Sequence, residues 1–363
     1  MYITRLELKN FRNYESLEAD FDEKINLILG NNAQGKTNLI ESIYMTSIGR
    51  SFRTAKDSEV IMFGRDEALI KVNAEKKFSD TEVEIRIKGA SKKSVKKDGI
   101  PLKKSSELLE NIMIVIFSPE DMKIVKDEPE KRRKFIDREL CQISPKYYDS
   151  LSNYKKILAQ RNAYLKEESI DPSILDLWDS QLAGYGANII TGRKKFIESI
   201  SGFSARIHRG ITAGGEELNI EYEPDVRVTE KPEDQKMFFY EEIKKAFDSD
   251  MRNRSTTRGP HKDDISFFVN GVNMRSFGSQ GQQRTCALSL KLAELDLIKN
   301  ETGEDAILLL DDVMSELDGT RQEYLIKTLK DNQLFITTTD LDERILGEFK
   351  DARIFNIYQG KFR

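Results

Sequence analysis

The sequence predicts an α/β protein in which a P-loop mixed sheet, accompanied by an antiparallel β subdomain, is interrupted by an inserted α-helical arm. Three observations carry this reading. Gly30-Asn31-Asn32-Ala33-Gln34-Gly35-Lys36-Thr37 fits G-x-x-x-x-G-K-[ST] and lies between an apolar run and a helical pattern. A second apolar run, Ile307 to Leu310, ends in Asp311-Asp312. The 275 positions from Lys36 to Asp311 exceed what one sheet needs, and residues 130–209 within them are almost wholly helical in pattern. The expected organisation is a discontinuous nucleotide-binding lobe, 1–118 with 211–363, and a helical arm, 119–210, carrying no P-loop elements.

The elements follow in order. Tyr2 to Lys9 and Leu17 to Phe21 alternate as strands around a turn at Phe11-Arg12-Asn13-Tyr14. Ile25 to Leu29 is a short apolar run ended by Gly30, as in a buried central strand. Leu39, Ile40, Ile43, Tyr44 and Ile48 have helical spacing. Residues 68–116 return to strand character, with Asp98-Gly99 as a hairpin turn. Ser144-Pro145 and Asp171-Pro172 are N-cap and first-turn pairs that open two helices, the first running to about Glu168. In the second, Ile174, Trp178, Leu182, Tyr185 and Ile189 share one face. Glu216 to Glu242 reads as acidic strand and linker, and Asn270-Gly271 as a second hairpin turn. A helix over Arg284 to Asn300 precedes the Ile307 strand. A helix from Gly319 to Lys330 separates that strand from Leu334 to Ile336, an alternation that implies a parallel sheet.

Composition excludes several classes. Cys141 and Cys286 are too few and too far apart for a disulfide framework, which favours a reducing, cytoplasmic setting. Two histidines argue against a His-rich metal centre, and no apolar run reaches membrane-spanning length. The net charge of −4 hides local contrast. Residues 85–104 hold eight cations against Asp98 alone, whereas 216–242 hold ten acids against three bases. The basic stretch serves equally as a solvated face or as a contact for nucleic-acid phosphates. Arg50, Arg53, Lys92, Lys93, Lys96 and Lys97 are the candidate DNA contacts, followed by Arg132, Arg133 and Lys134. Arg252, Arg254 and Arg258 form a further basic cluster, open to a nucleotide or a structural role.

Phosphate needs many donors, which a Gly-rich turn and a helix N-terminus supply from backbone N–H groups. Lys36 is expected to reach the β and γ phosphates of ATP, and the Thr37 hydroxyl and Asp311 to ligate Mg²⁺. Asp312 is placed to polarise the attacking water. A second candidate anion cradle, Ser279-Gln280-Gly281-Gln282-Gln283-Arg284, opens a helix upstream of Asp311, and Ser315-Glu316-Leu317-Asp318 follows the Asp pair.

This order of motifs resembles the heads of ABC-type ATPases and, among them, the RecF family. Asn10 to Tyr14, Arg50 to Arg53, Phe117 to Asp121, Arg132 to Asp137 and Gly259 to Asp264 extend the resemblance over essentially the whole chain. It implies a head-to-tail dimer, with ATP held in cis by Gly30 to Thr37 and Arg12 and in trans by Ser279, Gly281 and Gln282. Asp318 and its neighbours would lie at the interface between the two subunits. The implied function is ATP-dependent binding of double-stranded or gapped DNA in recombinational repair and replication, within the SOS response to DNA damage. RecR and RecO are the implied partners, and loading of RecA onto single-stranded DNA the implied outcome. Asp312 stands where transport ATPases carry Glu, and this shorter carboxylate predicts a weak ATPase, with slow hydrolysis acting as a switch. Thr337-Thr338-Thr339 and Ser118 occupy positions where related ATPases carry a switch His and a Gln. The alternatives are the ATP-binding subunit of a membrane transporter and a chromosome-organising, SMC-like ATPase.

Overall fold

A computed structural model describes residues 1–54, 56–89, 93–329, 332–339 and 352–362. The chain begins with strands β1 (Tyr2–Phe11), β2 (Tyr14–Asp20) and β3 (Ile25–Leu29), then helix α1 (Lys36–Ile48). Strands β4 (Glu67–Glu75), β5 (Asp80–Lys88), β6 (Ser94–Lys97), β7 (Ile100–Pro101) and β8 (Ile114–Phe117) follow. Helices α2 (Pro129–Ile143), α3 (Pro145–Tyr164) and α4 (Pro172–Ile211) precede β9 (Leu218–Glu223), α5 (Gln235–Lys245) and α6 (Phe247–Asn253). After β10 (Asp264–Val269), β11 (Val272–Asn273) and α7 (Met274–Phe277) come α8 (Gln280–Thr302), β12 (Ile307–Asp311) and α9 (Gly319–Thr328). The described elements end with β13 (Leu334–Thr338), β14 (Arg353–Tyr358) and β15 (Lys361–Phe362).

Two units result, 1–122 with 291–363 and 123–290, the second division falling inside α8. The first unit contains a six-stranded antiparallel sheet, β2-β1-β4-β5-β6-β7, and a second sheet, β15-β14-β3-β13-β12-β8, parallel throughout except for β15. Both pack on α1, whose residues from Leu39 to Ser47 are all buried. The hydroxyls of Ser42, Thr46 and Ser47 donate to carbonyls three residues back, which lets polar side chains sit in an apolar layer. Alternating burial along β4 and β5 marks a sheet with one core face, whereas β12 and β13 are buried at every position. The two hairpin turns form as expected. Asp98-Gly99 and Asn270-Gly271 all have positive φ, which suits the right-handed twist of two-residue hairpins.

In the second unit, α3 ends at Tyr164, a little before the expected Glu168. The buried face of α4 runs through Leu175, Asp179, Leu182, Gly186, Ile189 and Arg193. Ile174 is exposed and Trp178 only partly covered, so the expected face is rotated by about one residue. The predicted return to the P-loop lobe at 211 also differs from the structure, where 211–290 belong with the helices. Ser201 of α4 accepts from the Ile220 N–H of β9 at 3.1 Å, and Phe239 of α5 occupies the space a Cβ at Gly186 would need, 2.3 Å from it. The stretch read as strand and linker contains the expected strand, β9, and in place of the linker the start of helix α5. Acidic composition and Pro232 masked α5, whose buried apolar positions are only Phe239 and Ile243. The helix expected from Arg284 begins at Gln280, and the last residue of the expected Gly319–Lys330 helix lies outside the described residues.

Candidate nucleotide-binding site

The loop Gly30–Thr37 joins β3 to α1 and is held by two neighbouring turns. Asn13 and Tyr14 come from the β1–β2 turn; the Asn13 side-chain amide donates to Gln34 O at 2.9 Å and the Tyr14 hydroxyl to Gly35 O at 2.9 Å. On the other side, the β14–β15 turn contributes the Gly360 N–H to Gln34 O at 3.0 Å and the Gln359 N–H to Gln34 Oε1 at 2.8 Å. Gly35 has φ +121°, and a Cβ there would stand 2.7 Å from the Asn13 amide, so only glycine fits. Gly30 is required for a different reason: a Cβ would meet Ile357 O at 2.6 Å.

Lys36 is 4% exposed. Its ammonium donates to Gly30 O at 2.7 Å and lies 4.0 Å from Asp312 Oδ1. Strand β12 delivers Asp311 so that Oδ1 accepts from the Thr37 hydroxyl at 3.0 Å and from the Thr337 hydroxyl at 2.9 Å. Burial pushes the Asp311 carboxyl above its usual range, opposed by those two hydroxyls. Asp312 follows with φ 54°, a left-handed conformation costly for a residue with a side chain, and its N–H donates to Thr337 Oγ1 at 2.9 Å. Thr337 thus organises both carboxylates. Sequence reading placed it only at the switch-His position, since its role depends on the β12–β13 register that opposes Asp311 and Thr337.

Arg12, expected beside the nucleotide, forms a bidentate pair with the fully buried Glu41 at 2.9 and 2.7 Å and donates to Glu59 O at 2.6 Å. Arg53 joins the same carboxylate at 3.3 Å and donates to Asn38 Oδ1 at 2.8 Å. Glu41 was not singled out in the sequence because nothing in a helix pattern marks one buried carboxylate.

In the second unit, Ser279 and Gln282 form a capping box at the start of α8. The Gln282 N–H donates to Ser279 Oγ at 3.2 Å and the Ser279 N–H to Gln282 Oε1 at 3.1 Å. The Gln282 amide also donates to Glu216 Oε1 at 2.9 Å. Ser279 is exposed, as is Phe277 just before it. Thr285 and Ser289 continue the polar side of α8, with Ser289 Oγ 3.0 Å from His208 Nδ1.

The basic candidates divide by partner. Lys93 pairs with Asp57 at 2.8 Å and Lys96 with Glu84 at 3.2 Å, so much of the basic stretch is neutralised across the sheet. Arg50 is exposed, and among the described residues neither it nor Lys97 has an acidic partner. Lys92 lies outside the described residues. Arg132 is buried and bidentate to Asp264 at 2.6 and 2.7 Å, which removes it as a DNA contact. Arg258 pairs with Asp225 at 3.0 Å, and Ser118 is tied to Asp121 through its N–H and hydroxyl at 2.8 Å each.

Residues 2–358 match the RecF/RecN/SMC N-terminal domain family. The DNA replication and repair protein RecF of Alkaliphilus oremlandii (strain OhILAs) is 47% identical over 363 residues, covering 99% of this chain and 100% of that one. RecF of Clostridioides difficile (strain 630) is 43% identical, covering 99% of this chain and 97% of the relative. Among solved structures, the recombination mediator protein RecF with ATPrS, of the RecFOR pathway, superposes with a TM-score of 0.92 at 37% identity, covering 99% of this chain and 97% of that one. An Smc head bound to the C-winged helix domain of ScpA shares the fold at a TM-score of 0.56 and 16% identity, covering 100% of this chain and 96% of that one.

Proposed function

The chain belongs to the RecF family of DNA replication and repair proteins within the wider RecF/RecN/SMC group, and we propose that it is an ATP-operated clamp for double-stranded or gapped DNA. The observation that carries this is the convergence of Lys36, Thr37, Asp311 and Asp312 at one loop, joined in pairs through the Thr37–Asp311 and Lys36–Asp312 approaches. ATP-bound relatives at 37% identity support nucleotide binding here.

The residues fit ATP with Mg²⁺. A hydroxyl and a buried carboxylate 3.0 Å apart are hard oxygen donors, the kind that hold Mg²⁺. Mg²⁺, held by Thr37 and Asp311, would supply positive charge to offset that of the phosphates. The chain's own residues do the rest. Lys36 exchanges its carbonyl partners for phosphate, Thr37 and Asp311 hold the metal, and Asp312 orients water from a backbone fixed by Thr337. Asp312 reaches one methylene less far than Glu would, which makes hydrolysis slow and suits release over turnover. Ser279, Gly281 and Gln282 of a second copy would close the site, so ATP favours the dimer by its differential affinity for it. Arg50 and Lys97 are the cations left to meet phosphates, Arg53 being shared with Glu41. RecR and RecO as partners, and help in loading RecA, come to this chain from the family. Among the described residues no helix is long and apolar enough to cross a membrane; a cytoplasmic site of action is part of the proposal.

The test is mass in solution and duplex affinity measured without nucleotide, with ADP and with ATP. Both should rise with ATP alone. Lys36→Met should remove the effect, and Ser279→Arg should keep ATP binding while blocking the dimer. Mass and affinity indifferent to ATP would sink the clamp reading.

A further inference from the structure

Arg132 and Arg133 are adjacent in sequence and differ in partner. Arg132 is saturated by Asp264, whereas Arg133 is half-buried and donates only to Asp263 O, at 2.7 Å. Arg133 opens on a cavity of about 240 Å³ within the second unit. Its walls are apolar: Leu151, Tyr154 and Leu158 of α3, Ile189 of α4, and Pro260.

The surrounding charges do not cancel. Lys134 pairs with Glu130 at 2.6 Å, and Arg193 lies between Asp137 and Asp263 at 2.8 Å each. Lys155 reaches Asp137 only at 3.8 Å. Four cations face three carboxylates, and Arg133 is the one without an acidic partner among the described residues. Burial and then the charge of Arg193 push the Arg133 pKa down, so its charged form is stressed in a way a nearby anion relieves. His261 adds no charge and Tyr154 is engaged with it at 2.7 Å.

We propose that this cavity docks an acidic peptide segment of a partner protein, a carboxylate pairing with Arg133 and Lys155 while the adjacent apolar side chain lies against Leu151, Leu158 and Ile189. Shape separates this from nucleic acid. Duplex phosphates stand on a convex ridge and are met by projecting cations, and they have no use for apolar walls. The cavity is recessed and of side-chain size, and the excess charge sits at its wall. This inference does not depend on the nucleotide reading.

The test uses the full chain and a fluorescein-labelled short peptide of alternating Glu and Leu, followed by anisotropy. Saturable binding is expected, absent for the same peptide with Gln in place of Glu. Arg133→Gln should weaken it roughly tenfold to a hundredfold, the worth of one charge-assisted hydrogen bond. Lys155→Gln changes a side chain 64% exposed, which leaves folding intact, and should weaken binding several-fold. No saturable binding, equal binding of the Gln peptide, or unchanged affinity in both variants overturns the proposal. So does displacement by inorganic phosphate at the concentration of the peptide, which would make it a simple anion site. Displacement by duplex DNA that is lost in Arg133→Gln would assign the cavity to nucleic acid and overturn it equally.

Discussion

In residues 123–290, buried charges are neutralised by one another. Arg161, fully buried, donates to Asp179 and Asp250 at 2.7 Å each and to Thr256 at 2.8 Å, with only its Nη2 unpartnered. Arg193 bridges Asp137 and Asp263 and donates to Pro260 O at 2.5 Å. The P-loop unit pairs the buried Glu41 with Arg12 and Arg53 in the same way, but leaves the two charges at its nucleotide loop half-answered. Lys36 has carbonyls and a carboxylate at 4.0 Å, and Asp311 has two hydroxyls and no cation among the described residues. Desolvating a charge costs several kcal/mol, about as much in either place. In the helical unit that cost is met internally and fixes the packing of α3, α4 and α6. At Lys36 and Asp311 of the P-loop unit it is left for a ligand to meet.

The comparison makes three predictions of descending size. Arg161→Met strands Asp250 without a counter-charge and leaves Asp179 only the part-exposed Lys244, at 3.1 Å, and should destabilise the helical unit by about 3–5 kcal/mol in urea titration. Adding Asp179→Leu and Asp250→Leu should restore most of that loss; a triple variant no better than the single one breaks the comparison. Next in size is His261, whose imidazole burial pushes down to about 4. It stays neutral, accepting from Tyr154 OH at Nδ1 and donating from Nε2 to Thr256 O at 3.0 Å. A depressed imidazole pKa contributes stability above its ordinary value and loses it as pH falls toward the folded one. Wild type should therefore lose on the order of 2 kcal/mol between about pH 7.5 and about pH 5, and His261→Gln should lack that loss. Asp263, whose carboxyl burial raises, acts in the opposite sense and is common to both proteins, so the difference isolates His261. The smallest effect is expected at Asp311. A raised carboxyl pKa means that ionisation opposes folding, so Asp311→Asn should leave the ligand-free protein within about 1 kcal/mol of wild type or slightly above it. The same variant should lose the rise in melting temperature that Mg²⁺ with ATP produces. A destabilisation as large as that of Arg161→Met would show that the two units do not differ as described.

Much of the first unit is legible in the chain because its signals are local. Gly30 to Thr37, the run Ile307 to Leu310 and the Asp-Gly and Asn-Gly turns each specify their own conformation. The sheet order is not local: β14, from residues 353–358, pairs with β3, and no periodicity announces that pairing. The second unit was harder. Its helices are legible from Ser144-Pro145 and Asp171-Pro172, whereas its boundary depends on Phe239 meeting Gly186 and on Arg132 meeting Asp264, contacts between residues far apart. At the site, Lys36, Thr37 and the Asp pair were readable from motif and spacing. Thr337, Asn13, Tyr14 and Glu41 were not, since each acts through a partner that only the folded chain supplies. The basic stretch misled for the same reason: Glu84 and Asp57 neutralise part of it from neighbouring elements.

The clamp on the P-loop by the β1–β2 turn from one side and the β14–β15 turn from the other has a consequence during synthesis. Residues 123–290 are contiguous in the chain, while the strand bearing the P-loop waits for a neighbour made more than three hundred residues later. Until residues 353–362 leave the exit tunnel, Gln34 lacks its Gln359 and Gly360 donors and β3 has an open edge. The nucleotide loop therefore completes its clamp only after residues 353–362 are made, however early its own residues appear.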